Sequence, residues 1–302
     1  MNQKLTPSIA ILLLVPPLMW AGNAVVGRAV VSIIPPFTLN FLRWFVALAL
    51  LLPLGYQVLR AGSSLWPQWR RYSMLGLLGV GMYNSLQYLA LHTSSPVNVT
   101  LVAASLPIWM LIVGRVFYRT PVQRAQVLGS ALSLAGVAVV LSQGSWQHLL
   151  MLRFVAGDLL MVMATICFAF YSWQLTRVDP DDPLRAHWAG FLVAQIAYGT
   201  VWSGVLAGVE WVAVDVYIEW GWTAVLTILY VAVGPAILAF RCWTIGVQRV
   251  GPTTTGFFSN LTPLMAALMS LGLLGEIPRL YHGLAFALII GGIVLSSRRA
   301  AA

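Results

Sequence analysis

Tyr83, Asn84, Gln87 and Tyr88 set four polar side chains close together in a stretch that is otherwise mostly apolar. Polar groups inside a long apolar run are costly in lipid, so they face a bundle interior and mark a path through it. On a helix Tyr83 and Gln87 share a face at a spacing of four, and Trp20 and Asn23 share one at a spacing of three. Comparable groupings recur along the chain, with Ser105 and Trp109, Phe168 and Tyr171, Trp188 and Gln195, Arg241 and Trp243, then Ser259 and Asn260. Gathered together, these residues make a pocket of aromatic walls with a few neutral hydrogen-bonding groups. Such a pocket suits a flat apolar side chain with a zwitterionic head. The alternative is that Asn, Gln and Ser bridge helices as packing contacts, as they often do in membranes. Three polar neighbours at Tyr83, Asn84 and Gln87 exceed what packing usually requires; for the remaining residues both readings stand. The scattered Trp44 and Trp202 read as lipid or interface contacts.

The charged residues narrow the chemistry. Arg43 and Arg241 lie within apolar runs. Arg43 could attract a substrate carboxylate, but we favour a structural reading, snorkelling or bonding a neighbour's carbonyls, and take Arg241 as the better ligand for a carboxylate. No Asp or Glu falls in the central part of an apolar run, because Asp158 and Glu276 sit near ends. A proton-for-cation exchanger needs a buried carboxylate to balance its cargo, so organic cations fit poorly. His92, His148, His187 and His282 are scattered and have no metal-binding spacing, and no Ser–His or paired-Asp arrangement appears. An intramembrane hydrolase is therefore disfavoured, and we expect no catalytic residue, no metal and no cofactor. Cys167 and Cys242 fall inside apolar runs, which argues against a disulfide framework.

The elements that hold these residues follow from composition. The chain has 302 residues, is 60% hydrophobic and only 8% charged, with a mean hydropathy of +0.85. A soluble domain carries roughly a quarter charged residues, so the apolar side chains must face lipid. A spanning helix needs about 20 mostly apolar residues. Ten such runs occur, at 9–28, 38–58, 73–92, 97–117, 124–141, 157–177, 187–208, 223–245, 252–273 and 280–297. The first carries no cleavage-site pattern and reads as a spanning helix rather than a signal peptide. With the N-terminus in the cytoplasm, twelve Lys and Arg fall on the inner side against three on the outer. That positive-inside bias puts both termini in the cytoplasm of a cell whose inner membrane holds the chain. It also accounts for the net charge of +9 without nucleic acid. The segment from Val209 to Trp222, with Glu210, Asp215 and Glu219 among tryptophans, reads as an anchoring strip at the outer interface. Short loops leave no room for a soluble domain, so we expect function within the membrane. A monomer suffices, with the lipid bilayer and a small-molecule substrate as partners.

An internal repeat organises the runs. Residues 94–109 read SSPVNVTLVAASLPIW and residues 250–265 read VGPTTTGFFSNLTPLM. Pro96 matches Pro252, Pro107 matches Pro263 and Gly136 matches Gly292, all at an offset of 156. Five spans per half is an odd number, so the second half enters the membrane from the opposite side. Inverted repeats around a midplane site are a recurring architecture of secondary transporters. The expected fold is all-α, ten transmembrane helices as an inverted five-plus-five repeat around a central cavity, with halves at 1–145 and 150–299. Pro107 and Pro263 bend their helices and either gate alternate faces of the cavity or act as static kinks.

The segments PPLMWAGNAVVGRAV, PPFTLNFLRWFVALALLLPL and GPTTTGFFSNLTPLMAALMSLGLLGE resemble the EamA-type branch of the drug/metabolite transporter superfamily. The likeness covers both halves and is nearest to the exporters of aromatic amino acids. It implies a ten-helix inverted fold that exports metabolites from the cytoplasm, here aromatic and other neutral amino acids. One departure stands out: Arg119-Thr120 occupies a place where many members carry an acid, whereas Gly275-Glu276 keeps it in the second half. Glu276 therefore receives no coupling role, and facilitated efflux down a cytoplasmic gradient is the simplest energetics. The alternatives are export of another small metabolite, such as a sugar derivative, nucleoside or organic cation, or a role as a scaffold or receptor subunit.

Overall fold

The computed structural model describes residues 5–30, 32–151, 153–215, 217–274 and 279–297; Glu276 lies outside them. Among the described residues the chain is helical, with no strand. The first helices are α1 (Pro7–Leu12), α2 (Val15–Ala29), α3 (Pro36–Gly55), α4 (Trp69–Leu75), α5 (Tyr83–Thr93), α6 (Pro96–Ala103), α7 (Leu106–Phe117) and α8 (Arg124–Leu141). A short α9 (Trp146–Leu150) then leads to α10 (Ala156–Leu175), α11 (Trp188–Ala213), α12 (Trp222–Val231) and α13 (Ala239–Val250). The last are α14 (Pro252–Phe258), α15 (Thr262–Leu274) and α16 (Leu280–Ser297).

Seven helical stretches among the described residues are long and apolar enough to cross a membrane. They cover seven of the ten expected spans. The other three fall on interrupted helices. The first is divided between α1 and α2, where Pro16 and Pro17 follow the break. The third joins α4 to α5 through a π-helical segment, Gly76–Met82, and carries the polar Asn84, Gln87 and Tyr88. The ninth joins α14 to α15 through a 3-10 turn, Ser259–Leu261.

The interruptions have local causes. A π turn widens the helix and leaves carbonyls without their ordinary partners. Asn40 of α3 supplies donors to two of them, its Nδ2 lying 3.0 Å from the Val80 oxygen and 3.3 Å from that of Gly81. A second π segment, Ala232–Leu238, joins α12 to α13 around Pro235, and the Trp20 indole N–H donates to the Pro235 carbonyl at 3.4 Å. Pro107 lies in the first turn of α7, where a missing N–H costs nothing, after a break at Ala104 and Ser105. Pro263 is likewise the second residue of α15. Each proline therefore restarts a helix rather than kinking a continuous one.

The helices α8 and α16 meet along a seam of small residues. A Cβ on Gly129 would stand 2.7 Å from the Gly292 carbonyl oxygen, and one on Gly292 would stand 2.6 Å from that of Gly129. Only glycine permits that backbone approach. A correction concerns the strip expected at 209–222: its first residues continue α11 to Ala213, and Glu210 is buried. Its carboxylate accepts from the Thr38 N–H at 2.8 Å, the Thr38 hydroxyl at 2.7 Å and the Phe37 N–H at 3.1 Å. A helix N-terminus presents unpaired N–H groups and a positive dipole end, so this acid caps α3 from a neighbouring helix.

Candidate functional site

Phe168 of α10 is fully buried and stands at the middle of an aromatic cluster. Its ring centroid lies 4.6 Å from Tyr83, 5.5 Å from Trp20, 5.1 Å from Trp243, 5.3 Å from Tyr171 and 5.9 Å from Phe240. The rings come from α2, α5, α10 and α13, and their edge and tilted contacts are the arrangements that aromatic quadrupoles prefer. On one side of this cluster lies a cleft lined by Trp20, Tyr83, Gln87, Thr100, Thr165 and Ser259, with Leu106 and Pro263 at the two helix breaks. Its open space is about 30 Å³, room for a water or two and well short of a ligand pocket of roughly 300 Å³. The walls have closed on one another.

On the other side of the cluster a second cavity of about 180 Å³ is lined by Arg185, Trp188, Gln195, Arg241, Thr244 and Gln248. Arg241 is exposed and lies 4.0 Å over the Trp188 ring. Gln195 is buried; its Oε1 accepts from the Tyr171 hydroxyl at 3.0 Å and its Nε2 donates to the Phe191 carbonyl at 3.1 Å. The Trp243 indole donates to Ser172 Oγ at 3.0 Å and closes the cluster between the two hollows. Among the described residues no three His, Cys, Asp or Glu side chains gather as metal ligands.

A polar network adjoins the first cleft. Gln87 Oε1 accepts from Asn23 Nδ2 at 3.3 Å, and Asn23 Oδ1 accepts from the Tyr88 hydroxyl at 2.7 Å. Arg43 stands behind them, fully buried. Its Nη1 donates to Asn84 Oδ1 at 2.7 Å, to Tyr88 at 3.1 Å and to Asn23 Oδ1 at 3.5 Å. Being fully buried it does not snorkel; its bonds go to side-chain oxygens of α2 and α5 rather than to backbone carbonyls.

Of the sequence-derived candidates, Trp20, Tyr83, Gln87 and Ser259 share the first cleft, and Asn23 and Asn84 join them through the network. Gln195 and Arg241 line the second cavity, while Tyr171 and Trp243 pack on Phe168, and the Trp243 ring also lies 5.2 Å from Trp20. Ser105 and Trp109 bond to each other along α7 at 3.1 Å. Asn260 turns away, its Nδ2 donating to Ser133 Oγ of α8 at 2.9 Å, which is a helix-bridging contact. Trp44 is corrected outright: it is fully buried with its ring 4.9 Å from Phe240, whereas Trp202 is exposed and donates to Ser73. Thr100 and Thr165 were missed, since single threonines in apolar runs carry no periodic signal.

Comparison with known proteins adds a family. The EamA-like transporter family matches residues 7–142 and again 155–298. A transporter of Archaeoglobus fulgidus, otherwise uncharacterized, is 24% identical over 99% of this chain and 99% of its own. The aromatic amino acid exporter YddG of Ancylobacter novellus is 25% identical over 93% of both chains. The uncharacterized transporter YyaM of Bacillus subtilis is 25% identical over 75% of this chain and 72% of its own. A solved crystal structure at 22% identity superposes with a TM-score of 0.71 over 95% of this chain and 96% of the other.

Proposed function

The chain belongs to the EamA-like transporter family, and from that premise we propose that it exports aromatic and other neutral amino acids across the inner membrane by alternating access. The observation that carries this reading is the cleft walled by the Trp20 and Tyr83 rings, backed by Phe168, beside the Gln87 amide that Asn23 holds. Flat walls suit an aromatic side chain, and the amides suit its polar head. The name of the Ancylobacter novellus relative points the same way.

Two five-helix halves of opposite orientation, 1–145 and 150–299, provide the mechanism. Support comes from features that recur at the offset of 156: the π segments Gly76–Met82 and Ala232–Leu238, and the helices Arg124–Leu141 and Leu280–Ser297. The breaks before Pro107 and Pro263 are hinges on which α7 and α15 swing, while the α8–α16 seam stays fixed. Exchange of conformation between equivalent halves moves the opening from one face to the other. The Phe168 cluster is the barrier between the cleft and the Arg241 hollow, the latter facing the cytoplasm together with both termini. Export is facilitated efflux, because among the described residues the buried acids Asp158, Asp182 and Glu210 lie at helix ends or in a loop with their oxygens already engaged.

Counterflow in proteoliposomes tests this. Liposomes loaded with phenylalanine should take up labelled phenylalanine at the same rate with and without a proton gradient. Absence of counterflow for every amino acid removes the substrate assignment. At matched protein levels Tyr83→Ala and Gln87→Ala should slow counterflow by about tenfold, and Trp202→Ala should leave it near the parent rate. Equal behaviour of all three would show that the cleft is not the path. Reporter fusions at the two ends give the topology, and ends on opposite faces would overturn the paired-halves arrangement.

A further inference from the structure

Among the described residues Arg43 is the one buried cation, and no carboxylate pairs with it. The three buried carboxylates are each held elsewhere: Glu210 by Phe37 and Thr38, Asp158 by Val155, Asn98 and Ser94, and Asp182 by Tyr72 and Leu184. The guanidinium spends one nitrogen, Nη1, on Asn84, Tyr88 and Asn23. Its Nε and Nη2 are buried and have no hydrogen-bond partner among the described residues. Those two nitrogens form one planar edge of the guanidinium. Their N–H bonds run parallel, in the spacing that a carboxylate accepts with both oxygens.

A buried charge without a counter-charge is strongly penalised, and amide and hydroxyl oxygens offset only part of the cost. The neutral ligands on Nη1 fix the plane of the group and leave its paired edge uncommitted. Arg43 is also one link from the cleft, through Asn23 to Gln87, and Gln87 lines the cleft. In the closed conformation described here the edge is shielded, so a ligand reaches it when α2 and α5 part from α3.

We propose that the Nε–Nη2 edge of Arg43 receives the carboxylate of the transported substrate, and this rests on the amino-acid export reading above. The aromatic side chain then lies against Trp20, Tyr83 and Phe168, with the carboxylate at Arg43 and the Asn23–Gln87 amides between. Arg241, which stacks on Trp188 at the exposed hollow, is not this ligand. Closure around a loaded substrate is favoured because the carboxylate supplies the charge the buried guanidinium lacks, and closure without it is penalised.

The test uses the purified full chain in detergent and three probes: phenylalanine, 3-phenylpropionate without the amine, and phenethylamine without the carboxylate. Binding is read by calorimetry, and folding is checked by gel filtration and melting temperature. The two carboxylates should bind and phenethylamine should not. Arg43→Lys keeps a charge but removes the paired edge, and should weaken both carboxylates by roughly tenfold or more. Arg43→Gln serves as the second variant if the lysine form does not fold. A purely structural arginine would shift all three probes together, and tight phenethylamine binding would overturn the assignment. Amino-acid counterflow with carboxylate preference unchanged in both variants defeats the Arg43 inference and leaves the export reading intact. Arg43-dependent binding of phenylpropionate without any amino-acid counterflow does the reverse.

Discussion

Among the described residues, the buried acids at two helix ends and the buried Arg43 treat charge in opposite ways. At the ends of α11 and α10, Glu210 and Asp158 have each oxygen engaged by backbone N–H groups, hydroxyls or an amide. These are fixed points that cap helices and tie the chain to itself. Beside the cleft, Arg43 is just as buried, yet the N–H groups of Nε and Nη2, three of its five, are unused. A carboxylate that is saturated by its own protein has nothing to offer a ligand or a proton. A guanidinium left with a free edge is poised for one. The comparison sets acids saturated by their own protein against a cation with an edge left free, although all are buried polar groups in apolar surroundings.

The largest expected effect lies on the saturated side. Glu210→Ala removes three accepted hydrogen bonds and strands the Phe37 and Thr38 N–H groups at the start of α3. It should cost about 3 kcal/mol, since each orphaned buried donor costs roughly 1–3 kcal/mol. A marked fall in melting temperature, with little purified monodisperse protein, is the expected readout. Asp158→Ala should follow at about 2 kcal/mol, because its Val155 contact caps its own helix α10 while Asn98 Nδ2 keeps its bond to the Arg153 carbonyl. If both proteins melt with the parent, these acids are not the fixed points described.

The contrast also marks what could be read before the fold was known. The apolar runs, the 156-residue repeat and the cleft lining of Trp20, Tyr83, Gln87 and Ser259 were legible because periodicity and lipid solvation act on short stretches of sequence. Glu210 was misassigned to an interfacial strip because its partners are 172 and 173 positions away, beyond any local pattern. Trp44 was placed at lipid for a similar reason: an apolar run does not say which of its faces meets protein. Asn260 and Asn84 are the same residue type in comparable settings, yet one bridges α8 and the other holds Arg43. Only the third dimension distinguishes them.

On the unsaturated side, stability and function should part company. Arg43→Met removes the buried cation but strands the buried Asn84 Oδ1, so it should cost about 1–2 kcal/mol, less than Glu210→Ala. The fall in melting temperature should be correspondingly smaller, while phenylalanine counterflow falls to background. A destabilisation as large as that of Glu210→Ala would mean that Arg43 is another structural charge, and the contrast between the regions would collapse.

The smallest effect should come from Tyr88→Phe. It removes one hydroxyl that donates to Asn23 Oδ1 and accepts from Arg43 Nη1. Nη1 keeps its shorter bond to Asn84 at 2.7 Å and Asn23 keeps its bond to Gln87, so the plane of the guanidinium is loosened without its charge or free edge being lost. The stability change should be below about 1 kcal/mol, the net value of an ordinary hydrogen bond. The KM for phenylalanine should rise a few-fold with the maximal counterflow rate nearly unchanged, because a less firmly oriented edge loses affinity before it loses the ability to carry the substrate through. Concentration-dependent counterflow on matched preparations separates the two quantities. If Tyr88→Phe abolishes transport as fully as Arg43→Met, the phenol itself meets the substrate, and the guanidinium edge is a bystander to a hydroxyl site.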